Sequence, residues 1–130
     1  MDQMSPRKVY VVDDDEAVRD SMRAILESSG MDVKDYASAQ AFLDAKCKDQ
    51  KGCLLLDFHM PGMTGLELLE HLRAHGSHLP VIVVTGRGDS MLKERVMRAG
   101  AAEMLDKPID ESVLMHALDR AFAAGANAQA

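Results

Sequence analysis

The chain has 130 residues, of which 47% are hydrophobic and 28% charged. That is the size of one domain with enough apolar content for a packed core, which excludes a disordered chain. The net charge of −6 argues against direct binding to nucleic acid phosphates. No apolar run reaches the length of a membrane span, and the start, Met1 to Lys8, lacks the apolar core of a signal peptide. A cytoplasmic location without membrane contact is expected. Cys47 and Cys53 are too few for a disulfide scaffold and too awkwardly spaced for zinc, so two reduced thiols are expected.

The first apolar run, Val9 to Val12, is short and rich in β-branched residues, and it stops at Asp13. Val18, Met22, Ile25 and Leu26 then repeat at helical spacing, with Gly30 as a stop. Met31 to Tyr36 mixes polar and apolar residues, as an edge strand does. Ser38 caps a short helix carrying Phe42 and Leu43. Cys53 to Leu56 is a second continuous apolar run, ending at Asp57. Thr64 caps a helix with Leu68, Leu69 and Leu72, closed by Gly76.

The third run, Val81 to Val84, ends at Thr85. Asp89 or Ser90 opens a helix with Leu92, Val96 and Ala99, closed by Gly100. Glu103 to Asp106 is a mixed, edge-type strand. Asp110 opens a last helix with Val113, Leu114, Ala117, Leu118, Ala121 and Phe122 on one stripe. The small residues from Ala123 to Ala130 carry no second core, so residues 1–123 are taken as the domain and 124–130 as a tail or the start of a linker.

Strand and helix alternate five times, which predicts an α/β fold with a parallel sheet and right-handed crossovers. Continuous runs belong inside such a sheet and mixed runs at its edges. The first, third and fourth strands are therefore interior and the second and fifth are edges. That partition fits the flavodoxin-like order 2-1-3-4-5, a (βα)5 three-layer sandwich whose chemistry lies beyond the carboxyl ends of the strands. Those ends are Asp13-Asp14-Asp15-Glu16, Asp57, Thr85 and Asp106-Lys107-Pro108. Clustered carboxylates repel one another, so at least one should bind its proton more tightly than usual. A hard divalent cation such as Mg²⁺ relieves the repulsion. With Lys107 and Thr85 added, the set reads as phosphoryl transfer onto an aspartate.

These residues resemble the receiver domain of two-component response regulators. The similarity runs from Lys8 to about Phe122. Its motifs are Val11-Val12-Asp13-Asp14-Asp15, the stretch Leu55-Leu56-Asp57-Phe58-His59-Met60-Pro61-Gly62-Met63-Thr64-Gly65, Val83-Val84-Thr85-Gly86, and Asp106-Lys107-Pro108. The sequence resembles receivers of the nitrogen-fixation regulator type, which often precede a helix-turn-helix domain. The resemblance implies that Asp57 accepts the phosphoryl group from a phosphohistidine of a sensor histidine kinase. It implies Mg²⁺ held by Asp14 and Asp57, with Asp13 helping through water and the backbone carbonyl of His59 as a further ligand. Thr85 would move to the phosphoryl group, Lys107 would pair with it, and the Lys107–Pro108 bond would be cis.

Met104 stands where the family usually has an aromatic switch residue, so Thr85 and Met104 are the switch candidates. His59 and Arg87 flank the site and are candidates for tuning phosphoryl lifetime. The signalling face would comprise the fourth helix, fifth strand and fifth helix. Such a domain modifies only itself and is not an enzyme in the usual sense.

Two other readings compete. Asp13-x-Asp15 after a strand suggests a haloacid-dehalogenase-type phosphatase with Asp13 as nucleophile, although Ala17 departs from that pattern. A module of the same fold that acts without phosphorylation is the second. Elsewhere, His71 and His75 lie one helical turn apart, with His78 beyond, and offer a possible metal site. Lys93, Arg95 and Arg98 form a basic stripe that could meet Asp119 of another copy in a homodimer. An output domain beyond Ala130 is also possible.

Overall fold

The structure is a computed structural model and describes residues 7–45, 51–86 and 88–128. Ten elements alternate along it: β1 (Lys8–Val12), α1 (Glu16–Ser28), β2 (Asp32–Tyr36), α2 (Ala39–Asp44), β3 (Cys53–Asp57), α3 (Gly65–Ala74), β4 (Val81–Thr85), α4 (Ser90–Arg98), β5 (Glu103–Asp106) and α5 (Glu111–Ala128). All strand pairs are parallel, in the order β2-β1-β3-β4-β5. The fold and its edge strands are those the hydropathy pattern predicts.

Side chains of a strand alternate between faces, and the core divides accordingly. Tyr10, Val12, Leu54, Leu56, Val81 and Val83 point to one face, under Phe42 of α2, Leu68, Leu69 and Leu72 of α3, and Leu92 and Val96 of α4. Val9, Val11, Val33, Cys53, Leu55, Ile82 and Leu105 point to the other, under Met22 and Leu26 of α1 and Leu114, Ala117, Leu118 and Ala121 of α5. β3 and β4 are buried at every position. This is why their sequences read as unbroken apolar runs. Burial pushes the Cys53 thiol up to about 12, so it stays protonated and inert. Cys47 lies outside the described residues.

The helix starts are chemically specified. Asp15, Ser38, Thr64 and Asp89 each accept a backbone N–H at the start of their helix, and Thr64 with Glu67 forms a reciprocal capping box. Asp110 does the same for α5 through the N–H groups of Ser112 and Val113. Gly30 follows α1 with φ of +85°, the left-handed turn that ends a helix without strain.

Two details of α5 depart from expectation. Val113 is 46% exposed and does not join the buried stripe. It sits one residue before Leu114, about 100° around the helix. The helical backbone also continues through Ala128, across most of the segment read as a tail. Alanine is the strongest helix former, which suits this continuation. No helix among the described residues is long and apolar enough to cross a membrane.

Candidate functional site

Parallel register brings the strand ends together. Val12 pairs with Leu56, Asp57 with Val84, and Thr85 with Asp106. The residues just past these positions therefore share one edge of the sheet. Asp13, Asp14, Asp15, Asp57, His59, Gly86 and Lys107 line a cleft there. One oxygen from each of Asp13, Asp14 and Asp57 lies within 4.8 Å of the others. Asp13 and Asp57 are buried, while Asp14 is exposed.

Lys107 bridges the two buried carboxylates. Its Nζ lies 3.2 Å from Asp13 Oδ2 and 3.3 Å from Asp57 Oδ1. The backbone N–H of Lys107 donates to the Thr85 carbonyl at 2.8 Å, and the Lys107–Pro108 bond is cis as expected. Asp13 is also held through Oδ1, which accepts the Asp15 N–H at 2.9 Å. Burial, then the neighbouring Asp13 charge, raises the Asp57 pKa above the ordinary aspartate value, against the opposing pull of Lys107 and the His59 N–H. Burial pulls Lys107 down, yet the combined attraction of Asp13 and Asp57 outweighs it and holds the ammonium above its usual value. The expectation that one carboxylate of the cluster would be shifted upward is met by Asp57.

The donor set suits a hard cation. Three carboxylates converge at one point, and neither sulfur nor imidazole nitrogen joins them in the cluster. A cation there would offset the burial, and the repulsion from Asp13, that together raise Asp57. The three histidines singled out on and after α3 do not gather in this way: among the described residues the only cluster of three metal-ligating side chains is the acidic one. His71 and His75 stack at 4.1 Å between ring centroids, and His75 Nδ1 lies 2.8 Å from the His71 carbonyl oxygen.

Other candidates fall at graded distances from the cleft. Thr85 is fully buried at the end of β4, and Gly86 takes the position lining the cleft. Met104 is half-buried against the core, next to the β4–α4 connection: a β-carbon on Gly88 would lie 2.8 Å from Met104 Cε and 3.0 Å from Thr85 Cγ2. His59 is exposed at the rim, its ring 4.8 Å from that of Phe58. Arg87 lies outside the described residues. Asp15, the acid/base candidate of the phosphatase reading, has its carboxylate engaged in capping α1, at 2.9 Å from the Ala17 N–H.

Asp119, proposed to meet a second copy, instead pairs with Arg7 of its own chain at 2.7 Å. The Arg7 guanidinium also lies 4.9 Å from the centre of the Phe122 ring. Of the basic stripe, Arg98 pairs with Glu94 at 2.7 Å.

The 9–119 segment matches the model of the response regulator receiver domain. The chain belongs to that family. Among curated relatives, the receiver is 49% identical over 110 residues to the transcriptional regulatory protein FixJ of Azorhizobium caulinodans, covering 85% of this chain and 52% of the relative. It is 39% identical to FixJ of Rhizobium meliloti over 118 residues, covering 91% and 58%. The chain thus spans about half the length of these relatives. Among solved structures, FixJ-N superimposes with a TM-score of 0.84 at 38% identity, covering 92% of this chain and 96% of that one. The response regulator StyR gives 0.88 at 39% identity, covering 96% and 63%. The receiver is therefore a relative of FixJ-type regulators, in line with phosphoryl acceptance in two-component signalling.

Gly65, the last residue of the phosphoacceptor-like motif, has a packing role that its sequence position does not reveal. The first residue of α3 packs directly on the backbone beneath the site: a β-carbon at Gly65 would lie 2.5 Å from the Asp57 carbonyl oxygen and 2.9 Å from Phe58 Cα. Neither atom belongs to a side chain that can swing away. Gly65→Ala is expected to cost about 1–3 kcal/mol through overpacking, read as a lowered urea midpoint. A midpoint equal to that of the unsubstituted domain would refute the close approach.

Proposed function

We propose that the domain accepts a phosphoryl group on Asp57 from a phosphohistidine of a sensor histidine kinase, with Mg²⁺ as cofactor. A carboxylate oxygen of Asp57 forms the new P–O bond as the P–N bond to the donor histidine breaks. The product is an acyl phosphate on the domain's own side chain. The observation carrying this reading is Lys107 set between Asp13 and Asp57 at the mouth of an acidic cleft. A buried carboxylate beside a cation is positioned for attack, while the ammonium stands ready for charge on the transferred oxygens.

Asp13, Asp14 and Asp57 would hold Mg²⁺, with the His59 carbonyl as a further ligand. Bound there, the ion would neutralise charge on the carboxylates and on the incoming phosphoryl group. Thr85 would reach the phosphoryl group only by moving, since it starts buried. Met104, in contact range of the same loop, would register that movement. The outcome is a shift between two conformational populations, read at the α4–β5–α5 face by a second copy or by an output domain. His59 and Arg87 remain candidates for controlling access of water to the acyl phosphate. Family membership also supports a cytoplasmic location and a domain that modifies only itself, outside the usual definition of an enzyme.

The test uses a small acyl phosphate as donor with Mg²⁺ present. One base-labile phosphoryl group should appear in the intact mass, and peptide mapping should locate it on Asp57. Mapping to Asp13 would favour the phosphatase reading. No incorporation from that donor or from any histidine kinase would favour the phosphorylation-independent module.

A further inference from the structure

The three carboxylates of the cleft are not held equally. Asp13 is fixed through both oxygens, by Lys107 and by the Asp15 N–H. Asp57 is buried and held by Lys107. Asp14 is exposed, and among the described residues no side chain holds its carboxylate. Its direction therefore depends on its backbone, and the peptide between Asp13 and Asp14 is a rigid plane. Whatever grips the Asp13 carbonyl orients that plane.

Arg19 does so. From the first turn of α1 its Nη1 donates to the Asp13 carbonyl oxygen at 2.8 Å, while its Nε donates to Asp35 Oδ2 at 3.1 Å. The Arg19 side chain is only 14% exposed. Asp35 lies on the edge strand β2, opposite Val11. Its other oxygen, Oδ1, separately accepts from the more exposed Arg23 at 2.6 Å. A planar guanidinium is suited to this task, because it donates in two fixed directions at once.

We propose that Arg19 is a positioning residue of the acidic cleft: anchored by Asp35, its guanidinium fixes the Asp13–Asp14 peptide and so aims Asp14 at the point shared with Asp13 and Asp57. This rests on the Mg²⁺-dependent reading above. It predicts that Arg19 governs cation affinity, although it touches neither the cation nor the phosphoryl group. Partners one step removed from a metal commonly set affinity in this way.

Mg²⁺ titration calorimetry on the whole chain tests the proposal, alongside the Mg²⁺ dependence of phosphoryl uptake from an acyl phosphate. Arg19→Ala should bind Mg²⁺ about 10-fold more weakly. The Mg²⁺ concentration for half-maximal uptake should rise in step, while the rate at saturating Mg²⁺ stays within about two-fold of the original. Arg23→Ala removes a charge from the same network without touching the Asp13 carbonyl, and its Mg²⁺ affinity should stay within about two-fold. Unchanged affinity in Arg19→Ala overturns the proposal, as does an equal loss in Arg23→Ala, which would make the effect one of general charge. If Arg19→Ala does not fold, Arg19→Lys is read by the same criterion, since it keeps the charge and loses the fork. Failure of the unsubstituted chain to bind Mg²⁺ at all would instead overturn the phosphoacceptor reading itself.

Discussion

Asp57→Asn is expected to abolish phosphoryl incorporation and, in chelator at neutral pH, to make the domain more stable. The first effect follows from removing the proposed nucleophile. The second follows from the balance of forces on the carboxylate. Burial and the Asp13 charge act against its ionised form more strongly than Lys107 and the His59 N–H support it, so its pKa is raised in the folded state. Within the window between the ordinary aspartate value and that raised value, the native state binds more protons than the unfolded state. Stability then falls as pH rises through the window, and above it the penalty is complete.

Asparagine carries no such penalty. Its advantage should be absent below the carboxylate range, grow as pH rises, and level off at neutrality. We expect a gain on the order of 1 kcal/mol, about 3–6 °C in Tm for a chain of this size. Saturating Mg²⁺ should reverse the ranking, because it stabilises only the form that binds it well. Thermal melts over the acid-to-neutral range, with chelator and with Mg²⁺, check both signs. A variant less stable than the parent in chelator at neutral pH would contradict this electrostatic picture.

Lys107→Ala should produce the opposite stability change. It leaves the buried Asp13 and Asp57 carboxylates facing each other without a cation. Breaking a fully buried pair costs several kcal/mol, but Lys107 is 28% exposed, so about 1–3 kcal/mol is expected at neutral pH. The loss should shrink on acidification, as the carboxylates take up protons, and shrink again on adding Mg²⁺, which replaces the missing charge. The folded-state pKa of Lys107 is raised, so its contribution is fully present below the ordinary lysine value and fades as pH climbs through the folded value. Parent and variant should therefore converge in strong alkali as well. Phosphoryl uptake should slow by roughly 100-fold, the usual scale for removing one charge-stabilising donor. Denaturation midpoints across pH and timed uptake from an acyl phosphate measure the two effects. A pH-independent stability loss would point to lost packing instead.

Much of this molecule is local in origin. Val9–Val12, Cys53–Leu56 and Val81–Val84 are apolar at every position because their strands are covered on both faces, and burial on two faces leaves a continuous trace in the sequence. The caps at Asp15, Ser38, Thr64 and Asp89 were likewise readable, since capping acts within four residues. Placing Asp13, Asp57, Thr85 and Lys107 at strand ends then sufficed to expect the acidic cleft.

Other features leave no such trace. Gly65 reads as an ordinary helix start, and only packing of α3 on the Asp57–Phe58 backbone demands that it lack a side chain. Arg19 looks like a charged surface residue until β2 brings Asp35 beside it. The Asp119 pairing with Arg7 leaves no local trace either, because the two residues are far apart along the chain.

The sequence by itself determined the element order, the strand order, and which residues stand at the functional edge. Those depend on periodicity and turn chemistry, which are written in neighbouring residues. The tertiary structure alone decided the carboxylate geometry, the elevation of Asp57, the withdrawal of Thr85 and the grip of Arg19. Each depends on distances of a few ångström between segments far apart in the chain, and no local pattern encodes those.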